Sequence, residues 1–247
     1  MAIFIFMCIN FNMINQTSSV NFTGRCPAIR KGQWASHVVN SFLPHESVTR
    51  YQPLINHIEV VKKYEHPCEH NFQLYPKKVL DIINKRRILN DKIFEAREDF
   101  VSIPAYGSYR YATSAIEQLQ ATRLGNCHEN AKAAESILRA NGVNNPAVAH
   151  LYIGGHNVDH VVCVFNRDGS KVKTIENNNT IIVDPWVGIV DFANNAIAKY
   201  KTMLDKYVAK GQSGKATLQR ITEHPMTQAD IKQFKTRFPE FIQKRPD

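Results

Sequence analysis

The sequence predicts an α+β domain in which a central antiparallel sheet packs against a helix opened by Cys127, with additional helices around that pair. Three observations carry the prediction. Residues 127–140 place apolar side chains at helical spacing between a start signal and a stop signal. The runs 161–165 and 180–183 are short, apolar and bounded by turn formers, as buried strands are. Elsewhere apolar residues recur three and four apart, the mark of helices with one buried face.

A chain of 247 residues, 43% hydrophobic and 21% charged, can bury a large core, which argues against wholesale disorder. Its net charge of +9 favours acidic partners. The basic residues are scattered, and the densest run, Lys85-Arg86-Arg87, lies inside a helical pattern with little aromatic interleaving. That reads as a solvated face, so the expected partner is a protein with an acidic surface and not a nucleic acid. Five cysteines, at positions 8, 26, 68, 127 and 163, form an odd, widely spaced set without CxxC, which predicts no disulfide framework and a reducing compartment. The sequons at Asn15, Asn21 and Asn178 are chance matches in an Asn-rich chain. The opening MAIFIFMCINFNMIN is too short to span a bilayer and lacks the basic start and small-residue cleavage site of a secretory signal. It could be a core strand, an upstream extension or an export signal of another type. No other segment could cross a membrane.

Taken in order, residues 1–50 read as a partly irregular N-terminal extension, with residues 15–50 loop and short elements that pack on the domain. A helix follows from Gln52 to Tyr64, with Leu54, Ile55, Ile58 and Val61 on one face after Pro53. His66-Pro67-Cys68-Glu69-His70 invites a zinc reading, but so short a loop seldom closes a tetrahedral site and no second pair follows, so a surface turn is expected. Residues 77–100 hold the longest helical pattern, through Val79, Ile82, Ile83, Ile88, Leu89, Ile93 and Phe94, stopped by Pro104 and Gly107. Shorter helices are expected over Ser114–Thr122 and Ala193–Val208, and Gly211–Gly214 is a loop. Thr227 and Asp230 form a capping box that opens a final helix towards Phe238.

The cysteine helix has both ends signalled. Asn126 is an N-cap residue, Glu129 occupies the capping-box position, and Asn141-Gly142-Val143 is a stop with its hydrophobic contact. Cys127 then falls in the first turn, where free N–H groups and the positive end of the dipole favour a thiolate and can hold an oxyanion. Gly125 just before would let a substrate backbone come close. His128 cannot serve Cys127, because neighbours on a helix point about 100° apart. Lys132 stands where a metalloprotease helix would need its second histidine.

Val161–Phe165 is apolar on both faces, and Arg167-Asp168-Gly169 turns it back antiparallel. His160 is thereby expected at the strand mouth on the face of Val162 and Val164, while Asp159 points to the other face. The run Thr180–Val183 ends in Asp184-Pro185-Trp186, where proline terminates pairing and fixes the carboxylate. Cys127 as nucleophile, His160 as base and Asp184 as orienter form the candidate triad, with Glu176 and Asp191 as rivals of Asp184. His156 and His160 have metal-ligand spacing but no helix pattern, and no metal or cofactor is expected.

This set resembles the papain-like and transglutaminase-like superfamily of thiol enzymes. GNCHENAKAAESILRANGV looks like the family's cysteine helix, DHVVCVF like its histidine strand and VDPW like the strand of its third member. Trp186 matches the tryptophan that shields the third member's bond to the histidine. The compact intervals are closer to transglutaminase-like domains, and GNC with DPW also looks like bacterial effector and toxin domains that deamidate or crosslink host glutamines. The resemblance spans about a quarter of the chain. One departure concerns the oxyanion hole: papains place a glutamine six residues before the cysteine, where Ala121 stands, and Gln120 is the near match.

The resemblance implies a single catalytic domain over residues 51–247 with its triad core in 124–188. The implied chemistry is acyl transfer from protein amides through a cysteinyl thioester, by a glutamine deamidase or transglutaminase. The implied support residues are Gln120, Asn126 and Trp186, and the implied destination is a host cytosol reached from a bacterium, or the cytoplasm. A papain-like protease is the other enzymatic reading, and a non-catalytic protein-binding module on the same fold is the reading outside enzymes.

Overall fold

The computed structural model describes residues 26–43, 77–101, 108–153, 156–204 and 216–243. The N-terminal apolar run, the sequons at Asn15 and Asn21, the expected helix over 52–64, the His66–His70 turn and the 211–214 loop lie outside these residues. Within them the chain is α+β. Six α-helices are α1 (Pro27–Phe42), α2 (Lys77–Val101), α3 (Ser108–Thr122), α4 (Cys127–Ala140), α5 (Ala193–Leu204) and α6 (Gln228–Arg237). The strands are β1 (Ala147–Ile153), β2 (His156–Asn166), β3 (Thr180–Asp184), β4 (Ile189–Phe192) and β5 (Ala216–Thr222). They form one open antiparallel sheet in the order β4-β3-β2-β1-β5.

Both faces of this sheet are covered, which is why its central strands are apolar throughout. On one side Val148, Val161, Cys163, Phe165, Ile181 and Val183 meet α1, α4 and α6. On the other, Ala149, Leu151, Val162, Val164 and Ile182 meet α5. Each fully buried Ile, Leu or Phe there contributes about 1.5–3 kcal/mol by leaving water.

Residues 27–42, expected as loop with short elements, are instead one helix of 16 residues. Pro27 opens it and Ile29, Ala35, Val38 and Val39 are buried. Ser, Asn and Gly between the apolar residues hid the pattern, yet Gly32 is what brings α1 onto the sheet. A Cβ at Gly32 would stand 2.8 Å from Val190 Cγ1 and 3.0 Å from Val183 Cγ2.

The stop of α4 is the expected one. Gly142 takes φ +77°, Gly142 N–H donates to the Arg139 carbonyl at 3.1 Å, and Val143 N–H donates to the Leu138 carbonyl at 3.0 Å. The start of α6 also follows its signal, with Thr227 N–H donating to Asp230 at 2.7 Å and Asp230 N–H donating to the Thr227 hydroxyl at 3.1 Å. Phe234, Phe238 and Phe241 then pack together under α1 and α4. Among the described residues no helix is long and apolar enough to cross a membrane.

Candidate functional site

The site is assembled where the first turn of α4 meets β2 and the end of β3. The turn leading into α4 holds Arg123 in the left-handed region at φ +57°, a conformation that costs a residue with a Cβ about 1–3 kcal/mol. Thr122 stabilises it by accepting the Leu124 N–H at 3.2 Å and donating to the Gln118 carbonyl at 2.8 Å. Glu129 reaches back to the Asn126 N–H at 2.9 Å, completing the expected link across the helix start.

A partner from outside the cysteine motif fixes that turn. Arg97 of α2 donates to Glu129 at 2.7 Å, and Asn126 donates to Asn90 of α2 at 3.4 Å. Burial pushes the Glu129 carboxyl up, but the bond and charge of Arg97 hold it below the usual carboxylate range. Helix α2 thus clamps the end of α4 that carries the thiol, while its Leu89 and Ile93 pack on Leu124 and Trp186. Gly125 has a reason other than substrate approach. A Cβ there would lie 2.4 Å from Leu119 Cδ2 and 3.2 Å from Glu129 Cβ, so any side chain must displace the buried Leu119 side chain and crowd Glu129.

Cys127 is the first residue of α4 and is 8% exposed. His160 is buried, and its Nε2 lies 2.5 Å from Asp184 Oδ2. The Cys127 thiol is its other hydrogen-bond partner, which leaves Nδ1 as the ring nitrogen for sulfur. Burial disfavours the imidazolium, but the Asp184 charge, the Asp184 bond and Cys127 outweigh it, and the His160 pKa is pushed up to about 10. The ring of Trp186 covers His160 with centroids 5.2 Å apart and planes tilted by 30°.

His160 is not at a strand mouth. β2 begins at His156, so His160 lies within the strand opposite Leu151, next to a register shift between Leu151 and Ile153. Sequence periodicity could not see this, because the mixed stretch HNVDH over residues 156–160 lacks the apolar run of 161–165, and its strand shows only in the pairing of His156 with Ile153 and of His160 with Leu151 on β1. Irregular pairing beside a site re-aims the side chains near it.

Asp184 closes β3 and is 1% exposed. Its Oδ1 accepts the backbone N–H of Trp186 at 3.1 Å and of Val187 at 3.3 Å. Its Oδ2 accepts His160 and also the hydroxyl of Tyr200 on α5, at 2.5 Å. Tyr200 was not among the residues the sequence singled out. Its only signal is an aromatic on the inward stripe of a helix that follows the aspartate. The rivals are accounted for elsewhere: Asp191 holds Lys199 at 2.8 Å and Asn195 at 3.1 Å, and Glu176 accepts from Asn179 at 2.8 Å. The backbone carbonyl of Pro185, inside the DPW turn, accepts from Asn40 of α1 at 3.1 Å.

Gln120, the candidate for the oxyanion hole, is exposed on α3. Residues two apart on a helix point about 200° apart, and it is Gln118 that faces inward, buried and donating to the Leu124 carbonyl at 3.3 Å. His128 is kept from Cys127 as expected, and burial holds its ring down at about 4. Among the described residues no three His, Cys, Asp or Glu side chains are grouped as a metal ion would require.

Compared with known proteins, the chain matches no family model, no curated protein and no solved structure.

Proposed function

We propose that this protein is a thiol-dependent acyl-transfer enzyme of papain-like or transglutaminase-like fold. It acts on protein amides, glutamine side chains before peptide bonds, in the manner of bacterial effector deamidases and transglutaminases. One observation carries the reading: a buried histidine stands between a helix-opening cysteine and a carboxylate that is itself held by backbone N–H groups.

The chemistry follows from the residues. The Cys127 sulfur adds to the amide carbonyl, and the first-turn N–H groups of α4, which have no acceptor within the helix, take the oxyanion. His160, protonated below about 10, gives its proton to the departing ammonia or amine as the tetrahedral adduct collapses to a thioester. The freed imidazole then takes a proton from water or from an amine as it attacks the thioester, and the thiol returns. Asp184 keeps the ring oriented and Trp186 shields the His160–Asp184 bond from water.

The test is to incubate wild type and Cys127→Ala with a proteome and search it by mass spectrometry. The expected outcome is a gain of about one dalton on particular glutamines, or glutamine crosslinks, with wild type alone. New chain termini would move the reading to a protease. No modification that depends on Cys127 would sink the enzymatic reading and leave a binding module.

A further inference from the structure

We propose that Tyr200 is a positioning residue of the triad: by sharing with His160 the Oδ2 atom of Asp184, it tempers the grip of that carboxylate on the imidazolium. The inference deepens the acyl-transfer reading and rests on it for its catalytic meaning, though not for its physical content.

The argument begins with what Asp184 needs. Two backbone N–H groups on Oδ1, at 3.1 and 3.3 Å, already fix the carboxylate at the end of β3. His160 occupies Oδ2 at 2.5 Å. A buried tyrosine hydroxyl needs some partner, but Tyr200, 3% exposed, donates to the oxygen that the histidine uses, also at 2.5 Å. Its ring stands edge-on to the imidazole, with centroids 5.9 Å apart and planes at 69°. Burial and the Asp184 charge push the Tyr200 hydroxyl well above its usual range, so it stays a proton donor.

A second donor on Oδ2 spreads the charge that holds the imidazolium proton. The groups that face the ring are Asp184 from β3, Cys127 from α4 and Tyr200 from α5, while β1 offers apolar Leu151. Asp184 and Cys127 both favour the charged ring, and the Tyr200 bond acts the other way. A general acid transfers its proton best when it does not hold it too tightly at the working pH. Tyr200 moves His160 in that direction without moving Asp184.

The test follows the ring carbon and nitrogen chemical shifts of His160 with pH in the wild type, in Tyr200→Phe, and in protein carrying 3-fluorotyrosine at position 200. Phenylalanine keeps the ring and removes the donor, so the midpoint should rise by about half a pH unit or more. Fluorotyrosine is a stronger donor and should lower it. In the glutamine assay Tyr200→Phe should lower kcat several-fold with KM unchanged and carry the alkaline limb upward. A midpoint that stays in place or falls in folded Tyr200→Phe would overturn the proposal and leave Tyr200 as packing. If that variant does not fold, the fluorotyrosine protein decides, and an unmoved midpoint there overturns it. A shifted midpoint in a protein that modifies no glutamine would keep the coupling and discard the acyl-transfer reading.

Discussion

Asp184→Asn should lower turnover by about a thousandfold or more and cost roughly 2–4 kcal/mol of stability. The two losses have one source. Asp184 offers two oxygens to four donors: the N–H groups of Trp186 and Val187 on Oδ1, and His160 with Tyr200 on Oδ2. Asparagine has one oxygen. If it faces His160, its amide N–H₂ meets two backbone N–H groups. If it faces the backbone, the amide meets Nε2 of His160 and imposes the tautomer that puts a proton on the nitrogen reserved for sulfur. Single-turnover rates and denaturant midpoints measure the two effects. A variant that kept both would mean that the short contact between His160 and Asp184 has no part in either.

The second large effect is on stability against pH, which should peak near pH 6.5. In the folded chain His160 holds its proton to about pH 10, whereas an unfolded histidine loses it near 6.5. That contribution is whole below pH 6.5 and is lost as pH rises towards 10, by up to about 5 kcal/mol, since each pH unit in that window removes about 1.4 kcal/mol. On the acid side His128 acts in the opposite sense. Burial holds it at about 4, so between pH 6.5 and 4 the unfolded chain binds a proton that the folded chain refuses. Stability therefore falls with acid, by up to roughly 3 kcal/mol. Burial also holds Lys132 down at about 8, so above pH 8 the unfolded chain keeps a proton that the folded lysine gives up. This offsets the His160 loss from pH 8 until about pH 9, beyond which the buried Cys163 thiol, pushed up by burial, adds a further decline. Denaturant midpoints from pH 5 to 10 would trace the curve. Asp184→Asn should flatten its fall between pH 6.5 and 8, and His128→Gln should flatten its acid arm. A level wild-type curve between pH 6.5 and 8 would contradict the coupling of His160 to Asp184.

The parts of this molecule that were legible in its sequence are those governed by local rules. The capped start and glycine stop of α4, the box at Thr227 and Asp230, and the doubly apolar runs of β2 and β3 are each specified within a few residues. They were enough to bring Cys127, His160 and Asp184 into one hypothesis, and the structure brings the three side chains together. What could not be read depends on distant partners. Edge strand β5 buries no residue fully, loses its alternation at the exposed pair Gln219-Arg220 in a mixed sequence, ATLQRIT, and exists because β1 is there to pair with it. The buried face of α1 interleaves Ile29, Val38 and Val39 with Gly32, Ala35 and Ser36, and the value of Gly32 lies in the close approach of Val183 and Val190. Arg97 and Asn90 steady the cysteine turn from a helix far back in the chain. Tyr200 looks like any core aromatic until the Asp184 carboxylate is placed beside it. Gln120 shows the limit of motif spacing: a displacement of two residues on a helix exchanges inside for outside.

The stacking of Trp186 on His160 has an optical consequence. The chain has two tryptophans, and Trp34 sits apart from the site, donating its indole N–H to the Phe241 carbonyl at 3.3 Å. An imidazolium 5.2 Å from an indole withdraws excited-state electron density in a way that neutral imidazole does not, so Trp186 emission should be weaker while His160 carries its proton and rise as the ring loses it. In a Trp34→Phe background the remaining emission is a reporter of one proton on one ring. It reads the charge state of the site in the resting protein, with no substrate in hand.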